Sequence, residues 1–337
     1  MTHADRNQKN VTAKQEKTKK VNDINCLIIS STIDYSTDLI CHELEQRSFN
    51  YLRINRDRFP KYELLYTLQS DSLSITMNEQ KFRVSSGSLK SVYFRAPVFL
   101  RSTGKPYTLQ EQLRKGQWSS FIRNLITFDC PLWVNHPVLT YRAENKMFQL
   151  RSAQKFGLSI PESYIGNTLP ESIIPERMYI VKSLDAALFY DNGHEMFTYS
   201  TEVKGEELLT ANIQDAPIIV QECLQNKVDI RVTVVGNRLF AVAITNNGQK
   251  IDGDWRKTKK EELLYTPISL PSDIQNKIFA LMQYWGLSFG GVDLALVGNT
   301  YYFIEVNPTG EWGWLTTSAK LPIDKAIVDL LVSGGKP

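Results

Sequence analysis

The chain is predicted to fold as an α/β (α+β) protein, and three observations carry that expectation. Near the start, the apolar run Asn25-Cys26-Leu27-Ile28-Ile29-Ser30-Ser31 precedes Ser36 to Arg47, where Leu39, Ile40 and Leu44 fall on one helical face, a βα beginning. From Ala216 onward the pattern turns to strand, with alternating segments 228–235 and 238–245 around Gly236-Asn237. One amphipathic helix then intervenes, with Ile274, Ile278, Leu281 and Trp285 at i, i+4, i+7 and i+11, before a last apolar hairpin.

A chain of 337 residues with 42% hydrophobic content can hold two or three compact units with cores. No apolar run approaches the roughly 20 residues of a bilayer span, and the start lacks the apolar core of a signal peptide. A cytoplasmic protein with no membrane partner is therefore expected. Cys26, Cys41, Cys130 and Cys223 are far apart and form no C-x-x-C pair, which argues against a zinc site or a disulfide framework. Residues 1–22 carry six Lys/Arg against Asp5 and Glu16; that +4 segment exceeds the net +3, so the remaining body stands at −1. The basic tail is polar, without apolar periodicity, and is expected to be disordered. The body has no basic stripe, so nucleic acid is not expected as a partner.

Residues 23–136 form the first α/β domain: after the βα start come strands at 51–54, 73–76, 81–84 and 90–94, a helix at 109–128 and the strand Leu132-Trp133-Val134-Asn135. Gly87 and Gly104 are isolated, so the domain has no dinucleotide fingerprint. Residues 137–215 form a second unit. It opens with a helix from Ala143 to Phe156, stopped by Gly157 with Pro161 beyond, and continues in strands at 163–166, 178–184 and 195–199. Residues 216–337 form the third, containing Ile218-Ile219-Val220, the 228–245 pair, the long helix with Ser272 as N-cap and Gly286 as its stop, and the final hairpin.

Charged residues inside these apolar strands mark the candidate site. Asp293 and Glu305 interrupt the last two strands, and a buried acid is costly unless it is paired or bound to a cation. Asn307 follows Glu305 by two residues and shares its face. Whether Asp293 joins them depends on the turn. A two-residue Gly298-Asn299 loop pairs Asp293 with Ile304 and sends it to the opposite face, whereas a loop that includes Thr300 sets it across from Glu305. In the second case the donor set suits a hard divalent cation such as Mg²⁺; the plainer alternative is a pair of surface acids. Lys182 ends the apolar run Met178-Tyr179-Ile180-Val181, where a phosphate is a natural partner for an ammonium. Arg231 shares a strand face with Asp229 and Thr233, either projecting into a common site or bridging a strand neighbour. Lys146 carries no signal by itself.

Together these elements resemble an ATP-grasp ligase over roughly residues 130–310, in that family's order. Glu144-Asn145-Lys146-Met147-Phe148-Gln149-Leu150 with Gly157-Leu158-Ser159-Ile160-Pro161 resembles the first ATP-contacting lysine and the Gly-x-x-x-Pro that follows it. Val181-Lys182 resembles the second lysine, Val220-Gln221-Glu222-Cys223-Leu224 the adenine-bordering linker, and Asp229-Ile230-Arg231 the stretch after it. Asp293, Glu305 and Asn307 match the metal ligands residue for residue. Within the family, Tyr93-Phe94-Arg95-Ala96-Pro97, Asp254-Trp255-Arg256, Leu287 to Asp293 and Asn307 to Trp314 look like the graspetide ligases, the microviridin-type enzymes that cross-link ribosomally made peptides. The sequence departs from many ATP-grasp ligases after the second lysine: Ser183-Leu184-Asp185-Ala186-Ala187-Leu188 follows, and no glycine appears until Gly193.

The resemblance implies an N-terminal α/β domain plus two subdomains gripping ATP, with ATP and Mg²⁺ as cofactors. It implies that Lys146 and Lys182 meet the phosphates, that Arg231 supports the transferring phosphoryl group, and that Asp293, Glu305 and Asn307 hold the metal. Gln221, Glu222, Cys223 and Leu224 border the adenine, and Asp229 reaches the ribose. Arg256 and Arg95 face the acidic substrate, unless they are structural salt bridges. The expected activity is phosphorylation of Asp or Glu side chains of a ribosomal precursor peptide with a leader, followed by intramolecular ester or amide formation. One rival is a ligase that joins a free amino acid or amine to a carboxylate; another is a scaffold that binds ATP and leader peptide without chemistry. A homo-oligomer is compatible with the sequence, which does not specify the subunit count.

Overall fold

The structure is a computed structural model that describes residues 22–95, 108–129, 131–184, 188–191, 194–197, 200–251 and 253–335. The basic tail up to residue 21, Ala96-Pro97, Cys130 and Asp185–Ala187 lie outside the described residues, as do Gly104 and Gly193.

The first unit is built on a parallel sheet in the order Tyr51–Asn55, Cys26–Ser30, Ser91–Phe94, Leu132–Val134. Parallel strands are covered on both faces, and the unbroken apolar run at 26–29 serves that purpose. Leu27 and Ile29 enter one core with Leu52, Val92 and Phe128. Cys26 and Ile28 enter another with Ile40, Leu44, Tyr93, Phe289, Trp312 and Ile327. That second core is shared with the C-terminal unit, so the first domain is fused to the unit that carries the acidic hairpin. Helix Tyr35–Gln46 starts where the Asp34 side chain accepts from the Thr37 N–H, and helix Leu109–Asn124 starts at a Thr108/Glu111 capping box.

The middle unit is an antiparallel sheet in the order Thr201–Lys204, Met178–Lys182, Ile218–Glu222, Ser163–Gly166. Strand Ile218–Glu222 therefore pairs in the middle sheet and not with the 216–337 unit to which its position in the chain assigns it. The third unit is an antiparallel sheet in the order Leu263–Ile268, Arg238–Asn246, Val228–Val235, Phe289–Val297, Thr300–Asn307. Helices Ser272–Trp285 and Lys146–Lys155 cover one of its faces through Ile278, Trp285, Leu150 and Ala153.

Two local expectations are corrected. The helix expected from Ala143 to Phe156 is two: Pro137–Ala143 ends, Asn145 caps a new helix by accepting from the Phe148 N–H at 3.0 Å, and Lys146 becomes its first residue. A short polar side chain that satisfies orphan N–H groups restarts the chain direction there. Ser272 is the first helical residue and not the cap, a position held by Pro271 without a side-chain bond. Strand Leu263–Ile268, to which no element is assigned above, forms the outer edge of the sheet, where Pro267 is tolerated because no further strand needs its N–H.

Candidate active site

The acidic hairpin resolves its register by a route that neither loop length foresaw. Val297 pairs with Thr300, so the turn is the two-residue Gly298-Asn299, and Leu294 falls opposite Phe303. The register then shifts between Asp293 and Leu294, so that Ile304 is the extra residue and Asp293 stands opposite Glu305. The β-bulge restores the pairing that the short turn alone would have broken. Asn307 stands opposite Gly291, two residues further on.

Arg231 lies beside Asp293 in the next strand, and its Nη1 meets both carboxylate oxygens at 2.8 and 3.0 Å. The guanidinium fits because two glycines flank it: a Cβ at Gly291 or Gly310 would come within 2.5 or 2.7 Å of Nη2. Lys146 Nζ lies 2.7 Å from Glu305 Oε2, and Arg256 Nη1 lies 3.7 Å from Oε1. The Asn307 amide nitrogen donates to Glu305 at 3.3 Å and approaches Asp293 at 3.5 Å. Burial works to raise the Glu305 carboxyl, but Lys146 and Lys182 outweigh it and hold the group well below the usual carboxylate range. Burial dominates at Asp293 and pushes its carboxyl up, with Arg231 opposing and Glu305 adding. Burial also pushes Lys182 down to about 8, against the attraction of Glu305 and with the repulsion of Lys146 and Arg256.

A cavity of about 450 Å³ opens between the middle and final sheets. Lys182, Asp293, Glu305 and Arg256 line its charged end. Gln221, Glu222, Cys223, Leu224 and Asp229 line the remainder, with Pro161, Ile180 and Ile230 as apolar wall. Gln221 is buried and its amide donates to Ser163 Oγ at 2.8 Å, while Glu222 pairs with Arg177 at 3.0 Å. Lys146 borders a small void shared with Lys182 and Glu305, beside the main cavity. Ten of the sequence-derived residues thus border the main cavity or that void, while Arg231 and Asn307 reach it through their bonds to the two carboxylates.

Arg95 does not line the cavity. Its Nε faces Asp34 at 3.2 Å, Nη2 meets Glu311, and Nη1 donates to the carbonyls of Thr309 and Gly310. Of the two roles left open for it, the structure supports the salt bridge: Arg95 braces the segment after Asn307. Arg256 is bound by Asp254 at 2.9 Å but lines the cavity with half its side chain exposed. Sequence reasoning missed Lys227, which pairs with Asp229 across the cavity wall and would have been legible from their i, i+2 spacing. It also missed Asn135, whose amide donates to the carbonyls of Phe289 and Pro308 at 2.8 Å and accepts from the N–H groups of Ser288 and Phe289 at 2.9 Å. No local signal marks that contact.

Among the described residues no helix is long and apolar enough to cross a membrane. No curated protein matches the sequence. Among solved structures the chain is similar to the macrocyclase MdnC of Microcystis aeruginosa MRC bound with precursor peptide MdnA: identity is 27%, TM-score 0.78, with 92% of this chain and 99% of that chain covered. It is similar to the Chryseobacterium gregarium RiPP-associated ATP-grasp ligase in complex with ADP and a leader and core peptide, at 25% identity and TM-score 0.79, covering 94% and 98%. The macrocyclase MdnB of Microcystis aeruginosa MRC shares the fold at 24% identity and TM-score 0.69, covering 92% and 99%. Residues 154–331 match the profile of the RimK-like ATP-grasp domain, more than half of the chain, and the chain belongs to that family.

Proposed function

We propose that this protein is an ATP-dependent peptide macrocyclase that joins side chains of a ribosomally made precursor peptide in the cytoplasm. The observation that carries the reading is the charged end of the cavity, where Asp293 and Glu305 are held against Lys146, Lys182, Arg231 and Arg256. Four cations against three carboxylates, counting the Asp254 that pairs with Arg256, leave a net positive site suited to a polyphosphate. The similarity of nearly the whole chain to two peptide-bound ligases supports a peptide as acceptor.

A divalent metal fits the residues present. Among the described residues no three His, Cys, Asp or Glu cluster, so the protein offers the two carboxylates Asp293 and Glu305 and room for an amide oxygen beside them. Asn307 supplies it, since half a turn of its side-chain amide directs an oxygen toward the same carboxylates. When bound, Mg²⁺ supplies charge neutralisation at phosphate oxygens. The chain's own residues do the rest. Lys146 and Lys182 orient the phosphates, and Arg231, paired with Asp293, supports the transferring group. Gln221 to Leu224 and Asp229 receive the nucleoside, and Arg256 faces the acceptor carboxylate. A substrate carboxylate oxygen bonds to the γ-phosphorus as ADP leaves; a hydroxyl or amine of the same peptide then displaces phosphate, so each ring costs the peptide one water. Catalysis is by positioning and electrostatics.

The test is mass spectrometry of an acidic, hydroxyl-rich precursor peptide incubated with the protein, ATP and Mg²⁺, with Asp293→Ala as control. Loss of one water per ring, absent with the variant, is expected. An unchanged peptide with ATP consumed only on addition of a free amino acid or amine would instead make it an intermolecular ligase, and ATP binding without phosphate release would leave a scaffold.

A pH dependence follows from Lys182. Its ammonium is depressed to about 8 in the free protein, so the site loses a positive charge as pH rises through that value. Bound phosphates favour the charged form, and nucleotide binding should take up a proton between about pH 8 and the ordinary lysine range. Calorimetric titration with ADP at pH 8.5, in buffers of different ionisation enthalpy, should show that uptake and a weaker affinity than at pH 7. Lys182→Arg should abolish the uptake.

A further inference from the structure

Gln149 is 2% exposed, an unusual setting for a glutamine. It lies on helix Lys146–Lys155 and faces Thr300–Asn307, the outermost strand of the final sheet. Its Oε1 accepts from the Val306 N–H at 3.0 Å, and its Nε2 donates to the Val306 carbonyl at 3.0 Å and to the Ala143 carbonyl at 2.6 Å. One side-chain amide thus satisfies both main-chain groups that this edge residue turns away from the sheet, acting as the missing neighbouring strand. Val306 is buried in the core, so its neighbours Glu305 and Asn307 point to the opposite face. Lys146 precedes Gln149 by three residues and lies on the same side of the helix, where it meets Glu305 at 2.7 Å. The grip on Val306 therefore sets three groups at once: the two side chains on either side of it and the lysine one turn earlier.

Other buried side chains hold the same segment further along. Asn135 grips Pro308, and Arg95 grips Thr309, Gly310 and Glu311. Gln149 is the member of this set that bonds between the two proposed ligands. A methionine would fill its volume without the cost of burying an amide, so the amide's contribution lies in its directed bonds.

We propose that Gln149 is a positioning residue that fixes the spacing of Glu305, Asn307 and Lys146 for a divalent cation and the phosphates it accompanies. This rests on the metal assignment above. The test is Mn²⁺ binding to the protein with ADP, followed by electron paramagnetic resonance, together with the Mg²⁺ dependence of ADP release, in the parent, Gln149→Met and Leu158→Ala. Leu158 is buried in the same core and makes no bond to the strand, so it controls for general loosening. Gln149→Met is expected to weaken Mn²⁺ binding and raise the Mg²⁺ requirement about tenfold, with Leu158→Ala near the parent in both at a similar loss of thermal stability. Equal effects in the two variants, or Mn²⁺ binding by Gln149→Met within twofold of the parent, would overturn it. Should Gln149→Met not fold, Gln149→Asn, whose amide falls one methylene short of Val306, carries the same comparison; if neither folds, Gln149 is a determinant of the fold and the positioning role is refuted. A parent that binds no Mn²⁺ refutes the metal assignment itself, whereas a parent that binds with the variant unchanged refutes only the role of Gln149.

Discussion

Glu305→Gln is expected to lower kcat/KM for ATP-dependent ring formation by roughly a hundred- to a thousandfold, the cost of removing one preorganised charge from a phosphoryl-transfer site. Glu305 is where the basic residues converge. Lys146 contacts it at 2.7 Å, Arg256 stands 3.7 Å away, and Lys182 and Lys146 keep it ionised against its burial. The amide removes a proposed metal ligand and also takes from the buried ammonium of Lys182 the carboxylate that favours its charge most, so that this lysine should fall further below its already low value. Steady-state ADP release across Mg²⁺ concentrations, together with calorimetric ADP binding in the absence of metal, separates the two consequences. A lost ligand appears as a raised metal requirement, while altered lysine charge appears as weaker nucleotide binding without metal. Activity within tenfold of the parent at all Mg²⁺ concentrations would remove Glu305 from the assigned site.

Arg231→Met should cost about 3–5 kcal/mol of folding stability, because it strips one partner from a buried ion pair and leaves the other. Asp293 would retain its burial, which already pushes its carboxyl upward, and lose the guanidinium that opposes this. Urea unfolding measures the loss, and a change below about 1 kcal/mol would mean that water or another cation replaces the guanidinium. The two flanking glycines supply an independent test. A methyl group at Gly291 or Gly310 intrudes to within 2.5 or 2.7 Å of the Arg231 Nη2; at Gly291 only the guanidinium must yield, whereas at Gly310 the Asn307 carbonyl at 3.2 Å is crowded as well. Gly291→Ala and Gly310→Ala should therefore reproduce the direction of the Arg231→Met effect at smaller size. A fully stable and active Gly291→Ala would show that the guanidinium has more room than its close packing indicates.

How far the site was legible depended on whether its signals were local. Lys182, Asp293, Glu305 and Asn307 stand out because each is a polar residue in an apolar strand, and strand periodicity assigns faces without knowledge of the fold. Periodicity alone does not carry a face across the turn, since loop length and register are coupled only until a bulge intervenes. A one-residue slip between Asp293 and Leu294 reversed the conclusion that the two-residue turn alone would give. Arg95 was drawn toward the substrate by its motif, yet its guanidinium is consumed by Asp34, Glu311 and two carbonyls, partners more than 60 residues away in sequence.

By itself, the sequence determined the fold class, the order of the units, the family resemblance and most of the charged residues of the candidate site. Those rest on periodicity, caps and isolated charges, all of which act within a few residues of one another. Tertiary structure alone decided which charges neutralise which, where the Ile218–Glu222 strand pairs, and that the first domain shares a core with the unit bearing the acidic hairpin. It also decided that Asn135, Gln149 and Arg95 converge on residues 306–311. The physical reason is that a buried amide or guanidinium needs a partner but does not specify it; the partner is set by which backbone groups the packed strands leave unpaired.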